Sequence, residues 1–361
     1  MKKLVILLIV ILVGVLCSVG VYFYNLTPVS KEAEEVKFTA SGTTKKVIND
    51  LYDAKLIRSK FFTLVYAKLN KNMVIKAGTY DLDRSSSTQE IFKKICGNGA
   101  IKDTIVVTFT EGKRIVDYAK VISDNFPYTE EEVLNVINDK EYIKELINKY
   151  SFLTDDILKD GIYYPLEGYL FPDTYEFYKT ASIKSIIEKL LDKMGKVLDN
   201  YSTSFDSSNY SIHEILTMAS IIESESKFKE DREIVSQVIH KRLSINMSLG
   251  MDVTSAYGYK ISLKEFEDMR NKSLVLNDDN AYNTRRTDFI GLPVGPICSP
   301  RKLSIEAALN PSDTNYIYFY ADVYGMNEDG TCNKELAGKL HFANNQSEFN
   351  AIKAKYSRKC R

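Results

Sequence analysis

The feature that most restricts this chain lies at its N-terminus. Lys2 and Lys3 precede an unbroken apolar run from Leu4 to Val21, and Tyr22, Phe23 and Tyr24 follow it. That is about the length a helix needs to cross a bilayer, with the three rings as an interfacial belt. A cleaved signal peptide is the competing reading, but no A-x-A-like site follows the run. Leu16 before Cys17 also departs from a lipidation signal, which wants a small residue there. The expectation is an uncleaved anchor over 1–26. Positive charge before the run places its N-terminus in the cytoplasm and the body outside. The polar stretch 27–37 would then be a short tether.

The length of 361 residues allows about two domains besides the anchor. Lys and Arg total 48 against 48 Asp and Glu, so no basic surplus points to a nucleic-acid partner. The 24 Tyr and 17 Phe, with no Trp, fit either a cleft that stacks rings on sugars or an aromatic core. Cys17, Cys96, Cys298, Cys332 and Cys360 form no C-x-x-C pair, and His213, His240 and His341 are not spaced to join them. No metal site is expected. An extracellular body would permit one late disulfide such as Cys332–Cys360. There is no P-loop, G-x-G-x-x-G or nucleophile elbow, and no cofactor is expected.

Along the chain, helices are expected from about Thr43 and over Phe61–Leu69. A short strand follows at Ile75–Leu82, then a helix capped by Ser87 or Thr88 that ends at Gly97-Asn98-Gly99. Ile105–Phe109 is β-branched and reads as a strand. The segment from Pro127 to Leu158 is charged and helical, a surface insertion. Tyr163–Tyr175 holds two prolines, a glycine and many rings, so it reads as an ordered loop with a short extended piece. Helices are expected at Ile183–Leu198, Asp231–Ile245 and Leu303–Leu309, and a buried strand at Tyr316–Asp322.

One helix carries the chemistry. Ser211 and Glu214 form an S-x-x-E capping box, and Ile212, Leu216, Ala219 and Ile222 or Glu223 follow at helical steps. Near its end stand Glu223 and Glu225. Residues two apart on a helix point roughly 200° apart, so the pair cannot share one cleft. One is structural and the other is free to act. A carboxyl closing an apolar helix is desolvated enough to hold its proton and serve as a general acid; two solvated surface glutamates are the alternative.

With these stretches in hand, the chain resembles the MltG (YceG-like) endolytic murein transglycosylases. The matching segments are Leu166–Tyr175 (LEGYLFPDTY), Met218–Glu225 (MASIIESE), Tyr282-Asn283-Thr284 and Gly291–Ile297 (GLPVGPI), in the family's order behind one N-terminal span. The resemblance runs from about Phe38 to about Asn350. It implies an α+β protein with a transmembrane helix, a LysM-like α+β module over 38–98 and an α+β catalytic domain over 99–361, with the helical insertion at about 127–160. There are departures. Leu340 and Phe349 stand where the family commonly has His, Gly250-Met251 replaces Gln-Ser or Gln-Thr, and Val253 replaces Pro.

The resemblance implies cleavage of peptidoglycan glycan strands near the cytoplasmic membrane, with cell-wall synthases as partners. It puts the catalytic acid on Glu225 and makes Glu223 the supporting carboxylate at the substrate. Glu167, Tyr169, Tyr282, Asn283 and Thr284 are expected to line the groove, or else to fix their loops by hydrogen bonds. Asp173 is expected to cap a turn, and Arg285 and Arg286 to meet substrate carboxylates or remain a solvated pair. A muramidase-type hydrolase and a silent glycan-binding scaffold are the competing functions.

Overall fold

The computed structural model describes residues 2–97, 104–269, 278–286, 288–327 and 329–358. The chain divides into two compact units, Met1–Thr104 and Ile105–Arg361. Helices mixed with small two-stranded sheets make it α+β, as expected.

In the first unit, helix α1 (Lys2–Asn25) is the apolar run, and its most apolar window, Leu8–Asn25, is unburied. Strand β1 (Glu35–Ala40), helices α2 (Thr44–Asp53) and α3 (Lys60–Leu69), strand β2 (Gly78–Asp83) and helix α4 (Thr88–Cys96) follow. Thr43, Ser59 and Ser87 each stand one residue before a helix and accept a first-turn N–H, which would otherwise lack a partner. Strands β1 and β2 pair antiparallel with Phe38 opposite Tyr80. Their inward faces pack with Val47, Leu51, Ile91 and Ile95. Asn98 and Gly99 of the expected helix stop lie outside the described residues.

The stretch 27–37 is not a free tether. Leu26, at the end of the apolar run, is 1% exposed inside this small core. Its carbonyl accepts from the Thr88 N–H at 2.9 Å, and Ser30 N–H donates to the Arg84 carbonyl at 3.1 Å. Glu34 pairs with Arg84, and Glu35–Lys37 already belong to β1. A polar composition concealed both the buried leucine and the alternation of Val36, Phe38 and Ala40.

The second unit opens with strand β3 (Thr104–Phe109) and helix α5 (Ile115–Asn125). Helices α6 (Glu130–Ile137) and α7 (Lys140–Lys149) and a 3-10 turn at Asp155–Leu158 cover the segment expected as a surface insertion. It is helical, but it belongs to the core: Val133, Ile137, Ile143, Leu146, Leu153 and Ile157 are all in the main apolar cluster. Charges cover the outer face of each helix, while apolar residues recur three or four apart on the inner one. After the aromatic loop, strand β4 (Asp173–Tyr178) pairs with β3, and Thr108 and Thr174 hydroxyls meet across the pair at 2.9 Å. Helix α8 (Ile183–Asp199) and the short α9 (Ser202–Asp206) lead to α10 (Ile212–Glu225). Then come α11 (Arg232–Ser244), α12 (Asp252–Gly258), α13 (Leu263–Asp268) and α14 (Lys302–Leu309). Strands β5 (Tyr318–Asp322) and β6 (Lys339–Ala343) form an antiparallel hairpin on which α15 (Gln346–Tyr356) packs. The expected buried strand is therefore half-open: Tyr318, Phe319 and Tyr320 are only partly covered. Cys17, Cys96 and Cys298 are free thiols, whereas Cys332 is disulfide-bonded; Cys360 lies outside the described residues.

Candidate active site

The site is built on α10. Its Ser211–Glu214 capping box forms as expected, which fixes where the helix begins. The helix is buried all round rather than along one stripe, from His213 to Glu223. Ala219 and Ser220 are small enough to let neighbours approach; the Ser220 hydroxyl accepts the Ile297 N–H at 3.0 Å. A helix held on every side presents its last turn in a fixed position, and that turn carries both glutamates.

Both glutamates border one cleft, against the expectation that the pair cannot share one, and what separates them is their partners. Glu223 is 8% exposed and fully engaged. The Arg301 Nη2 lies 2.8 Å from its Oε1, Arg301 Nε donates at 2.8 and 3.0 Å, and the Ser304 hydroxyl donates at 2.8 Å. The same Arg301 reaches Glu111 at 3.0 Å. This clamp ties the end of α10 to the start of α14. Glu225 lies on the same cleft, of about 810 Å³, with Arg242, Asp252 and Arg285 also on its lining. Burial pushes its carboxyl up to about 7, and the negative charge of Asp252 adds to the rise, against the pull of Arg285 and Arg242. A carboxyl in that state carries its proton near neutrality and has it to give.

One side of the cleft is the start of α12, where Asp252 is ion-paired with Arg285. Facing it is an aromatic wall from the β5–β6 hairpin and α15. Tyr318 and Tyr320, alternate residues on one face of β5, hold the Phe349 ring at 5.3 and 6.3 Å. Arg242 lies beneath, its guanidinium 5.4 Å from the Tyr318 ring and its Nε donating to the Ile317 carbonyl at 2.7 Å. Sequence reasoning missed this wall. The triplet Tyr318-Phe319-Tyr320 was its signal, together with Phe349 at a position where a histidine was expected. Leu340, at the other such position, is core at 4% exposure.

The remaining expected groove residues do not reach the cleft. Glu167 is 2% exposed and accepts the Ile115 N–H at 3.0 Å and the Tyr257 hydroxyl at 3.0 Å. Its carboxyl is also pushed up to about 7 by burial, yet it serves the N-terminus of α5. Tyr169 donates its hydroxyl to His213 Nδ1 at 2.9 Å, because the other ring nitrogen must donate to the Val294 carbonyl at 2.8 Å. Tyr282 packs its ring tilted against Tyr163 and edge-on to Tyr257. The Asn283 side-chain oxygen accepts from the Ser255 hydroxyl and the Arg285 N–H, and Thr284 Oγ1 accepts the Met251 N–H at 3.0 Å. These five residues are interior struts: they hold the loops that hold Arg285, Asp252 and α10. Their loops come close as well. Gly168 has φ +80°, and a Cβ there would lie 2.3 Å from the Pro296 Cβ, so the LEGYLFP and GLPVGPI segments meet where only glycine fits. Asp173 pairs with Lys193 and accepts the Thr174 N–H, while Arg286 pairs with Asp279 and Asp288 at the surface. Among the described residues no group of His, Cys, Asp and Glu is arranged to hold a metal.

The cleft thus brings together a buried carboxyl with a raised pKa, other carboxylates held by arginines, and the rings of Tyr318, Phe319, Tyr320 and Phe349. The model of the YceG-like family matches residues 36–355, and the chain belongs to that family. A protein of Streptococcus pneumoniae (strain D39) named endolytic murein transglycosylase is 30% identical over 358 residues, covering 92% of this chain and 62% of that protein. A Bacillus subtilis protein of the same name is 29% identical over 345 residues, covering 93% and 90%. The chain thus spans under two thirds of the pneumococcal relative's length. The crystal structure of a yceG-like protein from Listeria monocytogenes superposes with a TM-score of 0.60 at 30% identity, covering 90% of this chain and all of that one.

Proposed function

We propose that this chain is a membrane-anchored lytic transglycosylase that cuts the MurNAc–GlcNAc bonds of nascent peptidoglycan strands and leaves 1,6-anhydro-MurNAc ends. The observation that carries the reading is the division of labour on α10. Glu223 is consumed by Arg301 and Ser304, whereas Glu225 faces the cleft with its carboxyl raised to about 7. The relatives' shared name supports peptidoglycan as the substrate.

Breaking a glycosidic bond needs a proton on the leaving oxygen as positive charge grows at the anomeric carbon. Protonated Glu225 gives that proton to the departing GlcNAc oxygen. Its carboxylate then takes the proton of the MurNAc C6 hydroxyl as that oxygen attacks C1, closing the anhydro ring and restoring the acid. The nucleophile belongs to the substrate, so no water needs activating and one carboxyl suffices. Tyr318, Tyr320 and Phe349 offer ring faces to the apolar sides of sugars. A muramidase-type hydrolysis would need a second free carboxylate; of the others around the cleft, Glu223 is held by Arg301 and Ser304, Asp252 is held by Arg285, and Glu267 is exposed to solvent.

Two further observations support the setting. Tyr22, inside the expected anchor, packs against the first unit's core with Leu26, which favours a retained segment over a cleaved signal peptide. The disulfide at Cys332 suits an oxidising, extracytoplasmic location. The β-α-α-β order of the first unit supports the LysM-like reading, and synthases remain the partner class expected beside nascent strands.

The test is the full chain in detergent, wild type and Glu225→Gln, incubated with nascent, uncrosslinked peptidoglycan and followed by mass spectrometry. Anhydro ends should appear with wild type and fall by at least ~100-fold in the variant. Reducing ends instead would make the protein a hydrolase. No cleavage by either protein would favour the scaffold, and an active Gln variant would remove Glu225 from the mechanism.

A further inference from the structure

The way α1 enters the first unit has a geometric consequence for what else that unit touches. The rings that close the apolar run are part of its packing. Tyr22 meets Phe62 edge-on at 6.2 Å, and Phe62 meets Phe61 at 5.1 Å. The Arg58 guanidinium lies 5.3 Å from the Tyr24 ring and its Nε donates to the Pro28 carbonyl at 2.8 Å. Leu26 is locked inside the core. The unit therefore cannot swing about the end of the anchor.

Phe61 is 67% exposed in the first turn of α3, two ring contacts from Tyr22. Tyr52 is 43% exposed, under the Lys60 ammonium at 4.8 Å, which also pairs with the exposed Asp53 at 3.0 Å. Exposed aromatics with Arg and Lys stems laid over rings are the composition of a membrane interface, where rings sit at the headgroups and cations reach outward. Phe61 is joined through Phe62 to Tyr22, and Tyr52 shares a shallow hollow with Arg58, which covers Tyr24 where the apolar run ends.

We propose that this face of the first unit is a membrane-contact surface: the headgroup layer of the bilayer seats against Phe61 and Tyr52, continuous with the Tyr22–Tyr24 belt, with Arg58 and Lys60 toward lipid phosphates. The inference rests on α1 spanning the membrane. It makes the unit a seated collar rather than a spacer on a flexible stalk.

The chain contains no Trp, so a single introduced one reports alone. Phe61→Trp, Phe23→Trp and Val74→Trp would each be made in the full chain and reconstituted into phosphatidylcholine–phosphatidylglycerol vesicles, with and without bromine on the acyl chains near the glycerol. Val74 is 71% exposed and lies beyond the far end of α3. Trp at 23 and at 61 should both shift to the blue and lose about half their emission or more to bromine, while Trp at 74 keeps its own. Quenching at 23 with none at 61 overturns the contact surface and leaves the anchor standing. Equal quenching at 61 and 74 overturns this seating. No quenching at 23 removes the anchor and the proposal with it.

Discussion

Glu225 and Glu167 carry the same raised carboxyl, and only geometry separates the proposed acid from the strut. Glu167 ends in hydrogen bonds from Ile115 and Tyr257, and Glu225 ends in the cleft. For Glu225 the folded value of about 7 lies above the ordinary 4.5. Its proton therefore adds stability below the unfolded value, and that contribution is lost as pH rises through about 7. Glu225→Gln should match wild type in thermal melts near pH 5 and exceed it at pH 8 by ~1–3 kcal/mol, the Glu167 contribution cancelling between the two. In the same window wild-type cleavage should fall about tenfold per pH unit above 7, because the acid form is being removed. Helix periodicity predicted that Glu223 and Glu225 could not share one cleft, yet both border it, because the cleft wraps the last turn of the helix. The partner that consumes Glu223 was not legible, because Arg301 stands 78 residues later in the chain.

At the scale of elements, the caps and periodic helices were readable because their determinants are local: Ser87 with Glu90 and Ser211 with Glu214 lie within one turn. Loops were harder. Tyr, Asn and Thr in a rigid turn have the same donors and acceptors whether they face a sugar or their own backbone, and Tyr169, Asn283 and Thr284 turned inward. The helices over 130–149 were misplaced at the surface because their charged faces dominate the composition and mask the inner stripes. What loop packing demands is sharpest at Gly168. Gly168→Ala brings a Cβ into Pro296 at an unfavourable positive φ, so one of the two loops must move. The expected loss is ~2–4 kcal/mol in chemical denaturation. Anhydro-product formation should fall with it, since the displaced loop carries Ile297, whose N–H is fixed to α10.

For the whole molecule, two separate cores mean two separable stabilities. Leu26→Ala should lower the first unit's transition by ~2–4 kcal/mol and leave the second's in place, measured by calorimetry of the full chain in detergent. The buried leucine also bears on the protein's life history. An enzyme whose anchor merely holds it can be released by one proteolytic nick and go on working in solution. On the proposed anchoring, a nick beyond Leu26 would strip Leu26 and Tyr22 from the first unit's packing, so the shed form would carry a damaged domain. A single cleavage there would not then yield an intact soluble form, and on that anchoring residence at the membrane would be maintained by the fold itself.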